Sequence, residues 1–177
     1  MLSVRKQGFK ESGPFAVYTP SSDDISLAHT RATEMGVLPN SFTQGMGRMT
    51  GCLGEIVVNK FIKKSVYVGN YVFTHDLEHR HKRIEVKSKT CGSIPKPEYS
   101  VSVNGSSKKI PDNDVYFFTR VRKDLMFVWI VGWLPTTKFF KVAQFKKRGE
   151  QDDHGFTYKA AGHHTEMDKL NNPFSYK

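Results

Sequence analysis

The stretch RIEVKSKT, residues 83–90, has the alternation of a β-strand. Two apolar residues, Ile84 and Val86, alternate with charged ones, and successive side chains on a strand point to opposite faces. Glu85 and Lys87 therefore lie on the same face of the predicted strand. An acid and a base at this spacing are typical of a solvated edge, of a salt bridge or of a catalytic pair, so the choice depends on the rest of the chain.

The segment before this strand predicts its partner. Residues 66–77, VYVGNYVFTHDL, are rich in β-branched and aromatic residues and predict a second strand. If the turn centres on Arg80 and His81, an antiparallel hairpin places Asp76 directly opposite Glu85. Two facing carboxylates destabilise a sheet, but a divalent cation between them would offset the repulsion, because hard cations such as Mg²⁺ bind oxygen ligands. No Asn-Gly or Asp-Gly pair fixes this turn, and a bulge would shift the register by one residue.

The clearest helix candidate is residues 44–64, QGMGRMTGCLGEIVVNKFIKK. An apolar stripe at helical spacing predicts one buried face, and lysines at the carboxyl end complement the helix dipole. Glu55 falls among small and apolar residues on one helical face, and a buried carboxylate there needs a partner. Metal, metal-bound water or Lys87 would supply one. The alternative is a surface position at which Glu55 pairs with a neighbouring cation, namely Lys60, Lys63 or Arg48.

The remaining segments complete the predicted order of elements. A short helix is expected over Ser26–Met35 with Asp23 and Asp24 as capping candidates, a strand over 99–103, a central β-hairpin from Asp114 through the apolar run that begins at Leu125, a short helix over 135–145, and one strand with one turn of helix in the tail. This order predicts an α/β (α+β) fold with a central sheet flanked by helices. Residues 1–43 are predicted to be an N-terminal arm or cap, and residues 44–177 the core of a single domain.

Composition narrows the partners and the compartment. The chain has 27 Lys and Arg against 17 Asp and Glu, and such an excess suits a polyanion, most commonly nucleic acid, although many basic proteins bind none. Its two cysteines, Cys52 and Cys91, favour neither a disulfide framework nor a structural zinc site and indicate a reducing, cytoplasmic setting. The amino terminus lacks a signal-peptide core, and the longest apolar run, 125–134, is too short to span a membrane, so no membrane partner is expected.

The acids and the lysine together suggest one chemistry. Beside a metal held by Asp76 and Glu85, Lys87 would orient an attacking water or stabilise charge on a phosphate. The cation would lower the pKa of that water and screen the phosphodiester. This combination is suited to phosphodiester hydrolysis.

Glu55, then Asp76, then Glu85-Val86-Lys87 resembles the motif of the PD-(D/E)XK nuclease superfamily, over roughly residues 44–145 in order of elements; His75 stands where the family has Pro. The resemblance implies a restriction-endonuclease-like core with a central mixed β-sheet. It also implies that Asp76, Glu85 and the backbone carbonyl of Val86 hold Mg²⁺ or Mn²⁺, that Glu55 supports this metal or a second one, and that Lys87 positions the water.

The implied function is a metal-dependent nuclease that hydrolyses DNA, most simply an endonuclease that acts on double-stranded DNA as a homodimer. Similar compact enzymes include restriction enzymes, junction resolvases, nickases and phage or mobile-element nucleases. Two rival classes remain open: a non-catalytic DNA-binding module on the same fold, and a structure-specific (junction) or end-dependent nuclease, acting on DNA or on RNA.

Residues that could contact the DNA backbone are basic or polar and lie next to the motif or in basic runs. They are Ser88, Lys89, Thr90, Lys108, Lys109, Arg120, Arg122, Lys146, Lys147 and Arg148. The aromatic residues of the central hairpin are predicted to be core, and His79 and His81 exposed turn residues. Zinc bound by histidines, or a His-Asn nuclease site built on residues 162–164 with Asn171 or Asn172, lacks the spacing or the secondary structure that it needs.

Overall fold

The computed structural model describes residues 7–36, 46–69, 72, 74–105, 111–152 and 155–177. Its strands are β1 Phe9–Ser12, β2 Phe15–Tyr18, β3 Val66–Tyr67, β4 Leu77–His79, β5 Lys82–Cys91, β6 Ser100–Asn104, β7 Val115–Arg122, β8 Val128–Pro135, β9 Gln144–Lys146 and β10 Gly162–Glu166. Its helices are α1 Ser22–Glu34, α2 Met46–Phe61 and α3 Thr136–Val142, with short 3₁₀ turns at Met167–Lys169 and Pro173–Ser175.

A seven-stranded mixed sheet forms the centre of the fold, in the order β1-β2-β8-β7-β5-β4-β3. Only the β5–β7 pair is parallel among the pairings of this sheet, and the other neighbours are antiparallel. The predicted hairpin β7–β8 is central, as expected, because both of its strands are apolar on both faces. Gly132 follows an extra residue of β8, at a break in the register, and its φ of 151° suits glycine.

Two apolar layers cover the two faces of this sheet. On one face α2 packs against β5 and β7, and α1 packs on α2. On the other face lie α3 and a second sheet of three strands, in the order β6-β10-β9, around buried aromatic residues such as Tyr116, Phe118 and Phe139. The fold is therefore α+β, with a mixed central sheet flanked by helices. In the described residues no helix has both the length and the apolar character needed to cross a membrane.

The N-terminal residues are integrated with this sheet. Strand β2 pairs with β8, so the β1–β2 hairpin extends the central sheet by two strands. Helix α1 begins with a capping box in which Ser21 and Asp24 satisfy each other's backbone N–H groups. Helix α1 therefore begins at Ser22, four residues before the predicted start at Ser26. Ser21 is the N-cap, and the predicted caps Asp23 and Asp24 lie in the first turn.

The predicted second strand over residues 66–77 is wrong for most of its length. Only Val66–Tyr67 and the final Leu77 belong to strands, and Gly69 turns the chain with a φ of 82°; residues 70, 71 and 73 lie outside the described residues. The predicted helix 44–64 ends instead at Phe61, and Lys64 has a left-handed φ of 66°. β-branched composition cannot separate a strand from an extended loop that packs on a core.

Candidate active site

The β4–β5 hairpin determines which carboxylates meet. Arg80 and His81 both have positive φ, 49° and 62°, as a tight two-residue hairpin turn requires. Leu77 pairs with Ile84 and the pairs nearer the turn keep the same register, as predicted for the hairpin. Asp76 lies outside these pairs, and its N–H donates to the carbonyl of Ile84 over 2.9 Å, so the predicted position directly opposite Glu85 is not kept at Asp76. Asp76 lies just before β4 begins, and its side chain is directed toward β5.

Asp76 is held in place by the backbone of β5. The N–H of Val86 donates to Asp76 Oδ2 over 2.7 Å. Burial, and next the adjacent carboxylate of Glu85, raise the pKa of Asp76 well above its usual range, while the Val86 N–H partly offsets this. The two carboxylates therefore share a position that favours a proton or a cation.

Lys87 lies beside the same pair. Its Nζ is 2.5 Å from Glu85 Oε1, and the side chains of Lys87 and Glu85 are 37% and 19% exposed. The ammonium group of Lys87 therefore contacts the Glu85 carboxylate from the more exposed side of the pair. The pair is therefore a partly buried salt bridge, one of the three alternatives that the sequence left open.

Helix α2 brings the third acid. Burial, and next the charge of Asp76, raise the pKa of Glu55, with a smaller contribution from Glu85. The alternative surface pairing with Lys60 does not occur, because Lys60 Nζ is 2.5 Å from Asp24 Oδ1 at the α1 contact. Glu55 is thus part of the same electrostatic cluster as Asp76 and Glu85.

Gly54 explains how α2 approaches β5 so closely. A Cβ at this position would overlap Ser88 Oγ and lie 2.7 Å from Thr119 Oγ1. Thr119 Oγ1 donates to Ser88 Oγ over 2.8 Å directly beneath the helix. The absence of a side chain at Gly54 therefore brings the next residue, Glu55, to the hairpin.

The oxygen atoms at this site suit a hard divalent cation. Even-numbered residues of β5 direct their backbone groups toward β4, since Ile84 O accepts from Asp76 N over 2.9 Å and Val86 N donates to Asp76. In a strand the C=O of a residue points to the same side as its N–H, so the carbonyl of Val86 faces the side that holds Asp76. Two carboxylates and one carbonyl, completed by water, form a typical Mg²⁺ set. Among the described residues, no three His, Cys, Asp or Glu side chains are grouped so as to hold a metal by themselves.

The histidines near the hairpin are structural. His75 is buried, and its ring nitrogens lie 2.9 Å from Thr74 Oγ1 and 3.1 Å from Glu78 Oε1. The prediction that His79 is exposed is wrong: only 8% of it is exposed, because its ring packs 5.7 Å from the ring of Tyr176 in the C-terminal tail. His81 is exposed in the turn, as predicted.

The predicted DNA contacts next to the motif divide between the two faces of β5. Lys89 is exposed, on the face that carries Lys87. Ser88 and Thr90 point to the opposite face, where Ser88 meets α2 and Thr90 Oγ1 lies 3.0 Å from Thr50 Oγ1. Of these three residues, Lys89 is the one that a phosphate could reach beside Lys87.

The other predicted contacts lie away from the acids. Arg120 is buried and donates to the carbonyl oxygens of Ser100 and Thr119, and Arg122 pairs with Asp124. Lys146 lies 3.0 Å from Glu150, and Lys147 and Arg148 are exposed just after β9. Lys108 and Lys109 lie outside the described residues.

Sequence reasoning missed two residues beside Glu55. Arg31 of α1 stacks on Tyr67 of β3. Besides the larger effect of burial, the charge of Arg31 lowers the pKa of Glu55, and the charge of Glu55 raises the pKa of Tyr67. No sequence motif marks these two residues, because their contact depends on how α1 packs against α2.

Comparisons with known proteins add no assignment. No protein-family model matches the chain, and a search of curated proteins finds no significant match.

Proposed function

We propose that this protein is a metal-dependent nuclease that hydrolyses phosphodiester bonds of DNA, acting within double-stranded DNA as an endonuclease. The observation that supports this most is the partly buried pairing of Asp76 with Glu85 beside the partly exposed Lys87. Like charges that are brought together at a cost in stability indicate a group whose charge is balanced by a ligand.

Each residue has a distinct role in this proposal. Asp76, Glu85 and the carbonyl of Val86 would hold Mg²⁺ or Mn²⁺, with Glu55 as a further acid. When bound, the metal would supply a water of lowered pKa and screen the charge of the phosphodiester. Lys87, in contact with Glu85, would orient the attacking water and stabilise charge that develops on the phosphate.

The overall charge supports a nucleic-acid substrate. The formal net charge is +10, and exposed lysines such as Lys89 lie on the same strand face as the site. Phosphate contacts by such residues release counterions and add affinity without regard to base sequence. A homodimer, in which each copy cuts one strand, is part of the proposal and would appear in the molar mass measured by light scattering.

The direct test incubates the protein with supercoiled plasmid in Mg²⁺, Mn²⁺ or EDTA. We expect nicked or linear products that require metal and that disappear in Glu85→Ala, because that carboxylate is a proposed metal ligand. Glu98→Ala, in an exposed loop, is the matched control and should cut like the wild type. Single-stranded circles, linear duplex and RNA tested in parallel would separate endonuclease from end-dependent activity and DNA from RNA.

Two outcomes would contradict the proposal. Equal cleavage by the wild type and Glu85→Ala would indicate a contaminating nuclease. DNA binding without cleavage, in either metal and on plasmid, linear and branched substrates, would favour the non-catalytic binding module.

A further inference from the structure

Helices α1 and α2 pack antiparallel, which determines what faces Glu55. Near one end of the pair Lys60 Nζ lies 2.5 Å from Asp24 Oδ1, and near the other Cys52 Sγ lies 3.8 Å from Met35 Sδ. Arg31 precedes Met35 by one turn of α1. In this antiparallel arrangement it lies beside the turn of α2 that follows Cys52, which is the turn that carries Glu55.

The Arg31 guanidinium is held in one orientation but is not neutralised. Its Cζ lies 3.6 Å above the centre of the Tyr67 ring, a cation–π contact that holds the group flat. Its Nη1 is buried and has no hydrogen-bond partner in the part of the chain that the structure describes. Burial raises the pKa of Glu55, and the positive charge of Arg31 offsets part of this rise. The guanidinium therefore interacts electrostatically with the acid cluster without forming an ion pair with it.

Arg48 repeats this situation on α2 itself. It precedes Glu55 by seven residues, two helical turns, and therefore lies on the same side of the helix. Its Nε and Nη2 are buried, again with no acceptor among the described residues. Both arginine side chains remain partly exposed, so an anion that arrives from solvent can reach them.

Arg31 of α1 and Arg48 of α2 thus both have buried donors without an acceptor among the described residues, which is unusual. Buried N–H groups nearly always have partners, and an isolated guanidinium without an acceptor is costly. A phosphate fits both groups, because its oxygens accept the parallel N–H donors of a guanidinium in bidentate fashion. A carboxylate from the chain would serve as well, but none among the described residues bonds to Arg31 or Arg48.

We propose that Arg31 and Arg48 each bind a backbone or terminal phosphate of DNA on the Glu55 side of the candidate centre. The inference rests on the proposed function for the identity of the ligand. It also gives the N-terminal residues a function, since α1 supplies a phosphate ligand to a site whose acids come from α2 and the β4–β5 hairpin. Lys87 and Lys89 would then meet neighbouring phosphates from the other side of the acids.

The test measures binding of fluorescent duplex DNA in EDTA, where no cleavage occurs. We expect Arg31→Ala and Arg48→Ala each to weaken binding about tenfold and to reduce the slope of log affinity against log salt by about one, as loss of one phosphate contact should. Arg31→Lys keeps the charge without the two-pronged donor and should lie between. Lys138→Ala removes an exposed cation of α3, on the opposite face of the sheet, and should bind like the wild type.

The substrates distinguish the two sources of phosphate. Linear duplexes with 5′-phosphate or 5′-hydroxyl ends are compared with a closed circle. A loss confined to phosphorylated ends would identify a terminal phosphate, and an equal loss on the circle would identify the backbone. Thermal unfolding of each variant shows whether it is folded. If an alanine variant is unfolded, the site is tested instead with Arg31→Lys and with the shift in the melting temperature of the wild type on addition of inorganic phosphate.

Several outcomes would overturn this site. They are wild-type affinity in both alanine variants, an equal loss in Lys138→Ala, or no DNA binding by the wild type. Failure of the nuclease proposal would look different. If the wild type binds DNA without cutting it and Arg31→Ala weakens that binding, the nuclease proposal fails and the phosphate site stands. Active cleavage with unchanged binding in both arginine variants would retain the nuclease and remove the site.

Discussion

Two hairpins of this protein carry opposite charges two residues apart, and these pairs behave differently. Glu85 and Lys87 lie on β5 of the β4–β5 hairpin, and Arg122 and Asp124 lie at the β7–β8 turn, where Nη2 and Oδ2 are 2.6 Å apart. The guanidinium of Arg122 holds the pKa of Asp124 below its usual range. At the first site burial raises the pKa of the neighbouring Asp76.

The difference shows what turns an ion pair into a candidate site. The Arg122–Asp124 pair lies in solvent and has balanced charge, so it is an ordinary surface pair of small energetic effect. The Glu85–Lys87 pair is accompanied by two further carboxylates, Asp76 and Glu55, which the fold partly buries beside it. Three acids and one lysine leave negative charge that a bound cation would balance.

The largest expected effect is on catalysis. Lys87→Ala should lower the rate of Mg²⁺-dependent DNA cleavage by about 10²–10⁴-fold, because a positioned proton-handling or charge-stabilising group is lost. Metal affinity should change less. Asp124→Asn, which disrupts the surface pair, should leave the rate unchanged. Single-turnover cleavage of a labelled duplex measures both variants, and a wild-type rate in Lys87→Ala would make this lysine structural.

The next effect concerns how α2 supports the acidic hairpin. Gly54→Ala should destabilise the fold by about 1–3 kcal/mol, because the new methyl group forces α2 away from Ser88 and Thr119. Gly51→Ala, on the same helix with no atom within 4 Å of the added Cβ, should be neutral or stabilising by up to about 1 kcal/mol. Urea unfolding compares them. Equal stabilities would mean that the close approach at Gly54 is not needed.

Asp76→Asn should separate stability from activity. In EDTA at pH 8 we expect it to raise the free energy of unfolding by about 1–3 kcal/mol, because the amide removes repulsion from Glu85 and can still accept from Val86 N–H. Cleavage should be abolished while DNA binding remains. Chemical denaturation and plasmid cleavage measure the two properties, and wild-type cleavage would exclude Asp76 as a metal ligand.

The pH dependence follows from the sign of these shifts. The pKa of Asp76 is raised to about 7 and that of Glu55 to about 8, above their ordinary values in an unfolded chain. As pH rises from about 4 toward about 8, the unfolded chain releases these protons before the folded one, so metal-free stability should fall. Asp76→Asn should flatten this decline. Unfolding free energies in EDTA across this range test it, and a rise in wild-type stability from pH 5 to 8 would contradict it.

The smallest effect belongs to the surface pair and has the opposite sign. Because the folded-state pKa of Asp124 is lowered, its contribution to stability is present above its unfolded pKa and is lost as pH falls through the folded value. Asp124→Asn should therefore slightly destabilise the protein at pH 7 and have a smaller effect in acid. Paired denaturation curves measure the difference. Stabilisation at pH 7, as expected for Asp76→Asn, would remove the contrast between the two hairpins.

Local patterns predicted much of the scaffold. Alternation identified β5, the apolar runs identified the β7–β8 hairpin, and the position of Arg80 and His81 predicted the register of β4 against β5. These features depend on residues that are near in sequence, so period and turn length suffice to predict them. The extended loop before Asp76 was mistaken for a strand because its composition is that of a strand.

The amino-acid order alone was enough to identify the candidate acids and lysine, the hairpin that brings two of them together, and the basic charge of the chain. Three features emerged only from the packed fold. Glu55 joins the other acids through the close approach at Gly54, Ser88 contacts α2 while Arg120 is buried, and Arg31 faces the site from α1. A hairpin couples residues through local backbone geometry, which a short stretch of sequence encodes. Contacts between helices and sheet depend instead on shape and burial among residues that are distant in sequence.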